Sequence, residues 1–336
     1  MKRDTIVLGT SSGGVNALRD IAAGLPPDLD AAVLAVLHIG ANPSMLPDML
    51  ASVGPLPARH ARDGEPLRPG AIYVAPPDQH LMIVDKHVQL VRGPKENFAR
   101  PAIDPLFRSA AVARGNRVVA AVLTGQLDDG AAGLRAVREC GGVTIVQDPD
   151  SAFAADMPRN AIRASPPDYV LPLAEIAPKL VELAGCAAGP LAESPQSPQS
   201  PESPESPQSP ESPESLRIEN SMTLGPSSIG AVDKIALLSV LTCPECGGTL
   251  WQVRDAVPPR FRCHTGHAFG ISTLRQAANG ALEHTLFDAL RGIAPHSAGA
   301  LKLSTQRWPR IVNTPCTASS PFRRSGLGRP QGALKP

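Results

Sequence analysis

Long apolar runs are missing from this chain of 336 residues. The longest candidate, AAVLAVL at 31–37, fits a buried strand. It falls far short of the roughly 20 residues that a helix needs to cross a bilayer. The opening, MKRDTIVLGTSSGG, is basic, but its apolar stretch is too brief for a signal-peptide core. An excess of one charge is missing too. The 32 Lys and Arg face 31 Asp and Glu, so the balance gives no reason to expect a nucleic-acid or membrane partner. The six cysteines lack the even spacing of a disulfide framework, and three of them crowd into one short stretch near the C-terminus. These absences lead us to expect a soluble, cytoplasmic protein. Aromatics are scarce at 3%, yet an apolar content of 42% is ample for a core. Proline is plentiful: 37 residues are too many for a compact domain, so a biased segment must hold part of them.

Residues 1–186 alternate apolar runs with helical patterns. TIVLG (5–9), AAVLAVL (31–37), AIYVA (71–75), RVVAAVLT (117–124) and VTIVQ (143–147) read as strands. Helical patterns cover 15–25, 104–115, 131–140 and 173–185. The strands are continuous and β-branched rather than alternating, as expected where helices cover both faces of a parallel sheet. The prediction is a doubly wound α/β domain over 1–186, with an antiparallel excursion at 80–91 turning on Asp85 and Lys86. The composition then breaks. SPQSPQSPESPESPQSPESPES (194–215) repeats Ser-Pro-Glu/Gln and reads as an extended, disordered spacer within a linker of 187–235. A cysteine-bearing module is expected over 236–292 and a disordered basic tail over 293–336. The last 36 residues, 301–336, carry seven Lys or Arg and no acid.

The chemistry gathers at strand ends. GTSSG (Gly9 to Gly13) fits G-x-S-x-G, a strand-to-helix turn that exposes a serine above the sheet next to free helix N–H groups. The same stretch is a poor dinucleotide fingerprint, because glycine is missing at position 11, and His38 rather than an acid ends the second strand. A serine nucleophile needs a base, and the base needs an orienting carboxylate. His38 ends one strand, and Asp128 and Asp129 follow another in GQLDDG. Complementary groups on the carboxyl edge of an open α/β sheet suit a hydrolase. Their order, Ser then His then Asp, differs from that of α/β-hydrolases.

VLGTSSGGVNALRD, the LHIG histidine, DGEPLRPGAIYVAPPDQHLMI, RPAIDPLFRSAA, VLTGQLDDGAAGLRAV and VQDPDSAFAADMPRNAI occur in this order. Over about residues 4–185 the sequence resembles the protein-glutamate methylesterases of bacterial chemotaxis (CheB). The resemblance implies hydrolysis of glutamate methyl esters on chemoreceptors or related sensory proteins, and deamidation of receptor glutamines by many members. By motif position it implies Ser11 as nucleophile, His38 as general base and Asp129 as orienting acid, with no catalytic cofactor. Ser12 reads as turn chemistry. Backbone N–H groups near Ser12 and in the GQLDDG loop are expected to serve an oxyanion. Gln126 and Leu127 stand where receiver-bearing members usually carry Met and Gly, which bears on oxyanion geometry and substrate fit. No receiver domain precedes the matched segment in this sequence, so an attached receiver is not the expected switch. Asp78 and His80 in APPDQH either line the cleft or make structural hydrogen bonds. His60 and His87 read as surface or satisfied histidines, and Cys140 and Cys186 as structural.

CPEC (Cys243, Cys246) and CHTGH (Cys263 to His267) are separated by sixteen residues. Two tight turns carrying soft ligands suit tetrahedral zinc, whereas the βαβ setting of a redox pair is lacking. Cys243, Cys246, Cys263 and His267 are the expected ligands, because a ligand at His264 would strain the turn beside Cys263. The spacer leads us to expect a structural zinc remote from the triad and an esterase unit competent without the ribbon. The module is only weakly basic, so a protein partner suits it better than nucleic acid. Set against the hydrolase is a catalytically reduced scaffold of the same fold, acting through its zinc module.

Overall fold

The computed structural model describes residues 2–188, 214–225, 229–254, 256–280 and 283. All fall within one compact unit, Met1–Phe287. The chain begins with β1 (Thr5–Thr10), α1 (Gly14–Gly24), β2 (Ala32–Leu37), α2 (Leu46–Ala51), β3 (Ala58–His60) and β4 (Ala71–Val74). The hairpin β5 (His80–Val84) and β6 (His87–Val91) follows, then α3 (Ile103–Arg114), β7 (Val118–Val122) and α4 (Ala131–Glu139). β8 (Val143–Gln147), α5 (Asp156–Ala164), β9 (Tyr169–Leu171) and α6 (Leu173–Gly185) complete the first part.

Seven strands form one sheet in the order β3-β4-β2-β1-β7-β8-β9. Every neighbouring pair in it is parallel. β1, β2, β4 and β7 are buried at every residue, which is why their sequences are nearly continuous apolar runs. One face packs Ile6 and Leu8 against Leu18 and Ile21 of α1 and Leu180 of α6. The other packs Val7 and Leu34 against Phe107 of α3 and Leu134 of α4. Successive connections leave β1 toward β2 and leave β7 toward β8, so the sheet reverses direction between β1 and β7. Clefts form at such reversals, at the carboxyl ends of the strands.

The doubly wound α/β fold is as the sequence predicts, including the hairpin with Asp85 in the left-handed region. The short elements β3, β9, α2 and α5 are additions. A further departure lies in the segment assigned to the linker. Residues 214–235 contribute α7 (Glu214–Leu224) and α8 (Ile229–Ile235), and Leu216, Met222 and Val232 bury their apolar side chains. The Ser-Pro repeat up to residue 213 and the basic tail lie outside the described residues.

β10 (Ala236–Thr242), β11 (Thr249–Val253), β12 (Arg260–Cys263) and β13 (Ala268–Gly270) make a four-stranded antiparallel sheet in that order. A helix begins at Ile271. The sheet packs on the first part through a buried ionic cluster. Glu96 Oε1 accepts from Arg108 Nη2 at 2.7 Å and from Arg262 Nη2 at 2.9 Å. Glu219 of α7 accepts from Arg260 at 2.7 Å and Arg262 at 2.8 Å. Two carboxylates and three guanidiniums thus join the hairpin-to-α3 loop, α3, α7 and β12.

Candidate active site

Ser11 and His38 each follow the last residue of a strand, and those two residues, Thr10 and Leu37, are paired neighbours. The His38 N–H donates to the Thr10 carbonyl at 3.4 Å, and the Ser11 N–H to that of Thr124 beyond β7 at 3.0 Å. Serine, histidine and the β7 loop therefore share one edge. Gly13, at φ 81°, forms the turn into α1. A Cβ there would sit 2.7 Å from that of Phe153, so this turn takes only glycine.

His38 Nε2 lies 2.6 Å from Asp129 Oδ2. Donation of the Nε2 proton to the carboxylate fixes the tautomer and leaves Nδ1 as the basic nitrogen. The acid is held hard. Its Oδ2 also accepts from the Ile103 N–H at 2.7 Å, and its Oδ1 from the Asp104 N–H at 3.2 Å and Asn97 Nδ2 at 3.0 Å. Ile103 and Asp104 open α3, so the carboxylate occupies a helix N-terminus. Burial alone would push the Asp129 carboxyl up, but the His38 bond and the backbone and Asn97 donors outweigh it and hold it below the ordinary value. Asp104 shows the opposite balance. Burial, aided by the Asp129 charge, raises its carboxyl well above the carboxylate range.

The sequence singled out Asp128 with Asp129, and the two diverge. Asp128 turns away from His38 and caps the helix beginning at Ile271, accepting from the Ser272 N–H at 2.9 Å, the Thr273 N–H at 3.2 Å and the Thr273 hydroxyl. His80 is fully buried, with Nε2 donating to the Pro94 carbonyl at 2.9 Å and Nδ1 accepting from the Ala102 N–H at 3.2 Å. Asp78 pairs with Arg100 at 2.6 Å. Both bonds brace the chain leading to α3, which decides for the structural reading of these two residues. His60 is half-buried against the Ser44 carbonyl at 3.1 Å. Asn97 and Asp104 escaped the sequence reading: Asp104 lies inside RPAIDPLF, whereas nothing around Asn97 marks it.

In the C-terminal sheet, the ligand atoms of Cys243, Cys246, Cys263 and His267 all lie within 4.8 Å of one another. His267 Nδ1 is 3.7 Å from Cys243 Sγ and 3.5 Å from Cys263 Sγ, and Cys246 Sγ is 3.8 Å from Cys263 Sγ. A tetrahedral zinc with bonds of about 2.3 Å to sulfur and about 2.0 Å to nitrogen sets its ligands about 3.5–3.8 Å apart, so the donor set fits the ion. The hydrogen bond between Cys243 and Cys263 pulls the Cys263 thiol down and pushes the Cys243 thiol up, so the two share one proton between them. His264 is not one of these four; its ring lies beside Gly248, which Cys246 Sγ also flanks.

A family profile described as CheB methylesterase matches residues 6–180. A putative protein-glutamate methylesterase/protein-glutamine glutaminase of Leptospira interrogans is 39% identical over 185 residues, covering 54% of this chain and 96% of the relative. A protein-glutamate methylesterase/protein-glutamine glutaminase of Anaeromyxobacter dehalogenans is 39% identical over 181 residues, 54% of this chain and 53% of its own length. The crystal structure of the Thermotoga maritima CheB methylesterase catalytic domain superposes with a TM-score of 0.52 at 33% identity, covering 55% of this chain and all of that one. With its seven-stranded parallel sheet and its matched residues, the chain belongs to the CheB methylesterase family.

Proposed function

We propose that the chain is a serine hydrolase that removes methyl groups from glutamate methyl esters on chemoreceptors or related sensory proteins in the cytoplasm, and that it also deamidates glutamines there. The observation that carries this reading is the His38–Asp129 bond of 2.6 Å, with its acid locked by three further donors, on the sheet edge that holds Ser11. In this reading Ser11 Oγ attacks the ester carbonyl carbon while His38 Nδ1 takes its proton. The tetrahedral oxyanion forms beside the first N–H groups of α1, which favour negative charge. Its collapse breaks the carbon–methoxy bond, and His38 returns the proton so that methanol leaves. Water then attacks the acyl-Ser11 carbon, with His38 again taking the proton, and the freed side chain is glutamate. Asp129 keeps the imidazole oriented and offsets its charge throughout.

The ordered His38–Asp129 pair speaks against the scaffold alternative, for which a triad acid bound by four donors has no use. The Cys243, Cys246, Cys263 and His267 set would hold zinc, which when bound cross-links the two turns of the C-terminal sheet. Treatment with a fluorophosphonate, followed by peptide fragmentation, tests the nucleophile. The adduct is expected on Ser11 and to disappear in His38→Ala. An adduct on Ser12 overturns the assignment.

A further inference from the structure

The C-terminal sheet ends in an open edge at β13, and the first part of the chain occupies it. Residues 95–97, in the loop between β6 and α3, run beside β13 as a short parallel bridge of Glu96 with Ala268. The Ala268 N–H donates to the Lys95 carbonyl at 3.4 Å, and the Asn97 N–H to the Ala268 carbonyl at 2.8 Å. Phe98 packs against Phe269 with ring centroids 5.0 Å apart and the rings tilted by 50°. The buried Glu96–Arg262 pair at 2.9 Å pins the same segment from below. The loop is therefore held against the C-terminal sheet.

Its shape is a tight turn, closed by the Ala99 N–H donating to the Glu96 carbonyl at 2.9 Å and held in place by the contacts with β13. Asn97 and Phe98 are consecutive non-glycine residues at φ 52° and 61°. A backbone of this kind is strained for a residue with a side chain and persists where its surroundings hold it. The conformation aims the Asn97 side chain inward, where it is only 9% exposed. Its Oδ1 accepts from the Gly270 N–H at 2.8 Å, while Nδ2 donates to Asp129 at 3.0 Å and to Asp104 at 3.2 Å. One amide therefore links the last residue of β13 to the acid that orients His38. It also bridges the carboxyl groups of Asp129 and Asp104. Gly270 has no room for a side chain: a Cβ there would overlap the Asp128 carboxylate, which caps the following helix.

We propose that Asn97 is a positioning residue for the triad acid, and that the C-terminal sheet, by holding Asn97 through Ala268 and Gly270, is a working part of the catalytic domain. The set of three cysteines and one histidine enters the same path, because His267 directly precedes Ala268. The proposal rests on the hydrolase reading for its consequence in turnover, but the hydrogen bond it concerns can be observed without turnover. The test uses the full chain with zinc bound. The downfield proton resonance of His38 in its bond to Asp129 is compared between wild type and Asn97→Ala, alongside kcat and KM for methanol release from a methyl-esterified receptor. The proposal expects the resonance to shift or broaden beyond detection in a variant that stays folded. It also expects kcat to fall about 10- to 100-fold with KM unchanged, because a slightly misplaced base loses about that much. A folded Asn97→Ala with an unchanged resonance overturns the proposal, whatever the activity. Absence of turnover in wild type counts against the hydrolase reading alone, since the resonance still decides this one. Should Asn97→Ala not fold, the same resonance is followed in wild type as zinc is removed by chelation and restored. Loss and return support the proposal, and a constant signal contradicts it.

Discussion

Asp128 and Asp129 are adjacent in the chain, and their carboxylates do unrelated work. Asp129 collects a histidine, two backbone N–H groups and an amide, whereas Asp128 is spent on the helix that begins at Ile271. Asp129→Asn should therefore keep the fold yet lose the charge that stabilises the imidazolium, lowering kcat on the order of 10³–10⁴-fold. Asp128→Ala should leave kcat within a few-fold while lowering the denaturant midpoint, since about 0.5–2 kcal/mol of helix capping is lost. Equal loss of activity in both would show that the division of labour is wrong. Ser11, His38 and the Asp-Asp pair were legible in the sequence because glycine-flanked polar residues at strand ends mark a site. Asn97 was not. Its role depends on a partner, Gly270, that lies 173 residues away in the chain, and no local pattern encodes that pairing.

At the scale of the element, legibility followed burial. β1, β2 and β7 are central strands covered on both faces, so they appear as nearly continuous apolar runs. β3 and β9 sit at the sheet edges, with three residues each and none fully buried, and they left no comparable trace. α7 was hidden by its neighbour, for the Ser-Pro repeat ends where the helix begins and coloured the whole stretch as linker. The helix matters because Glu219 on it binds Arg260 and Arg262. Burial alone would raise the Glu219 carboxyl, but the guanidiniums of Arg260, Arg262 and Arg108 outweigh it and bring it from 4.5 to about 2. Glu96 is likewise held well below its ordinary value by Arg108 and Arg262 against the same burial. Folded values below unfolded ones mean stability that is complete above pH 4.5 and lost as pH falls toward 2. Denaturant midpoints measured from pH 7 to pH 3 should hold level and then drop below about pH 4.5, and Glu219→Gln should flatten that drop while costing about 3–5 kcal/mol at neutral pH. A midpoint insensitive to acid would remove these carboxylates from the docking.

At the scale of the whole molecule, the expectation of an esterase unit indifferent to its zinc module gives way to two sheets that share a loop. The reason is physical: a ribbon of four short strands has a small core, here Leu250, Phe261, Phe269 and Leu274 around the cysteines, and it gains stability by burying charged and strand-edge groups against the larger domain. We expect about one zinc per chain, from the single four-ligand set among the described residues. Its removal should loosen the 95–97 segment as well as the ribbon, which amide hydrogen exchange on the chelated chain would report. The central claim remains that Ser11, oriented through His38 and Asp129, demethylates glutamate. Incubation with methyl-labelled receptor and counting of the released methanol measures it directly. The account predicts release by wild type and by Ser12→Ala, and a loss of about 10³-fold or more in Ser11→Ala. Methanol release by Ser11→Ala at the wild-type rate, or none by a folded, zinc-loaded wild type, would contradict it.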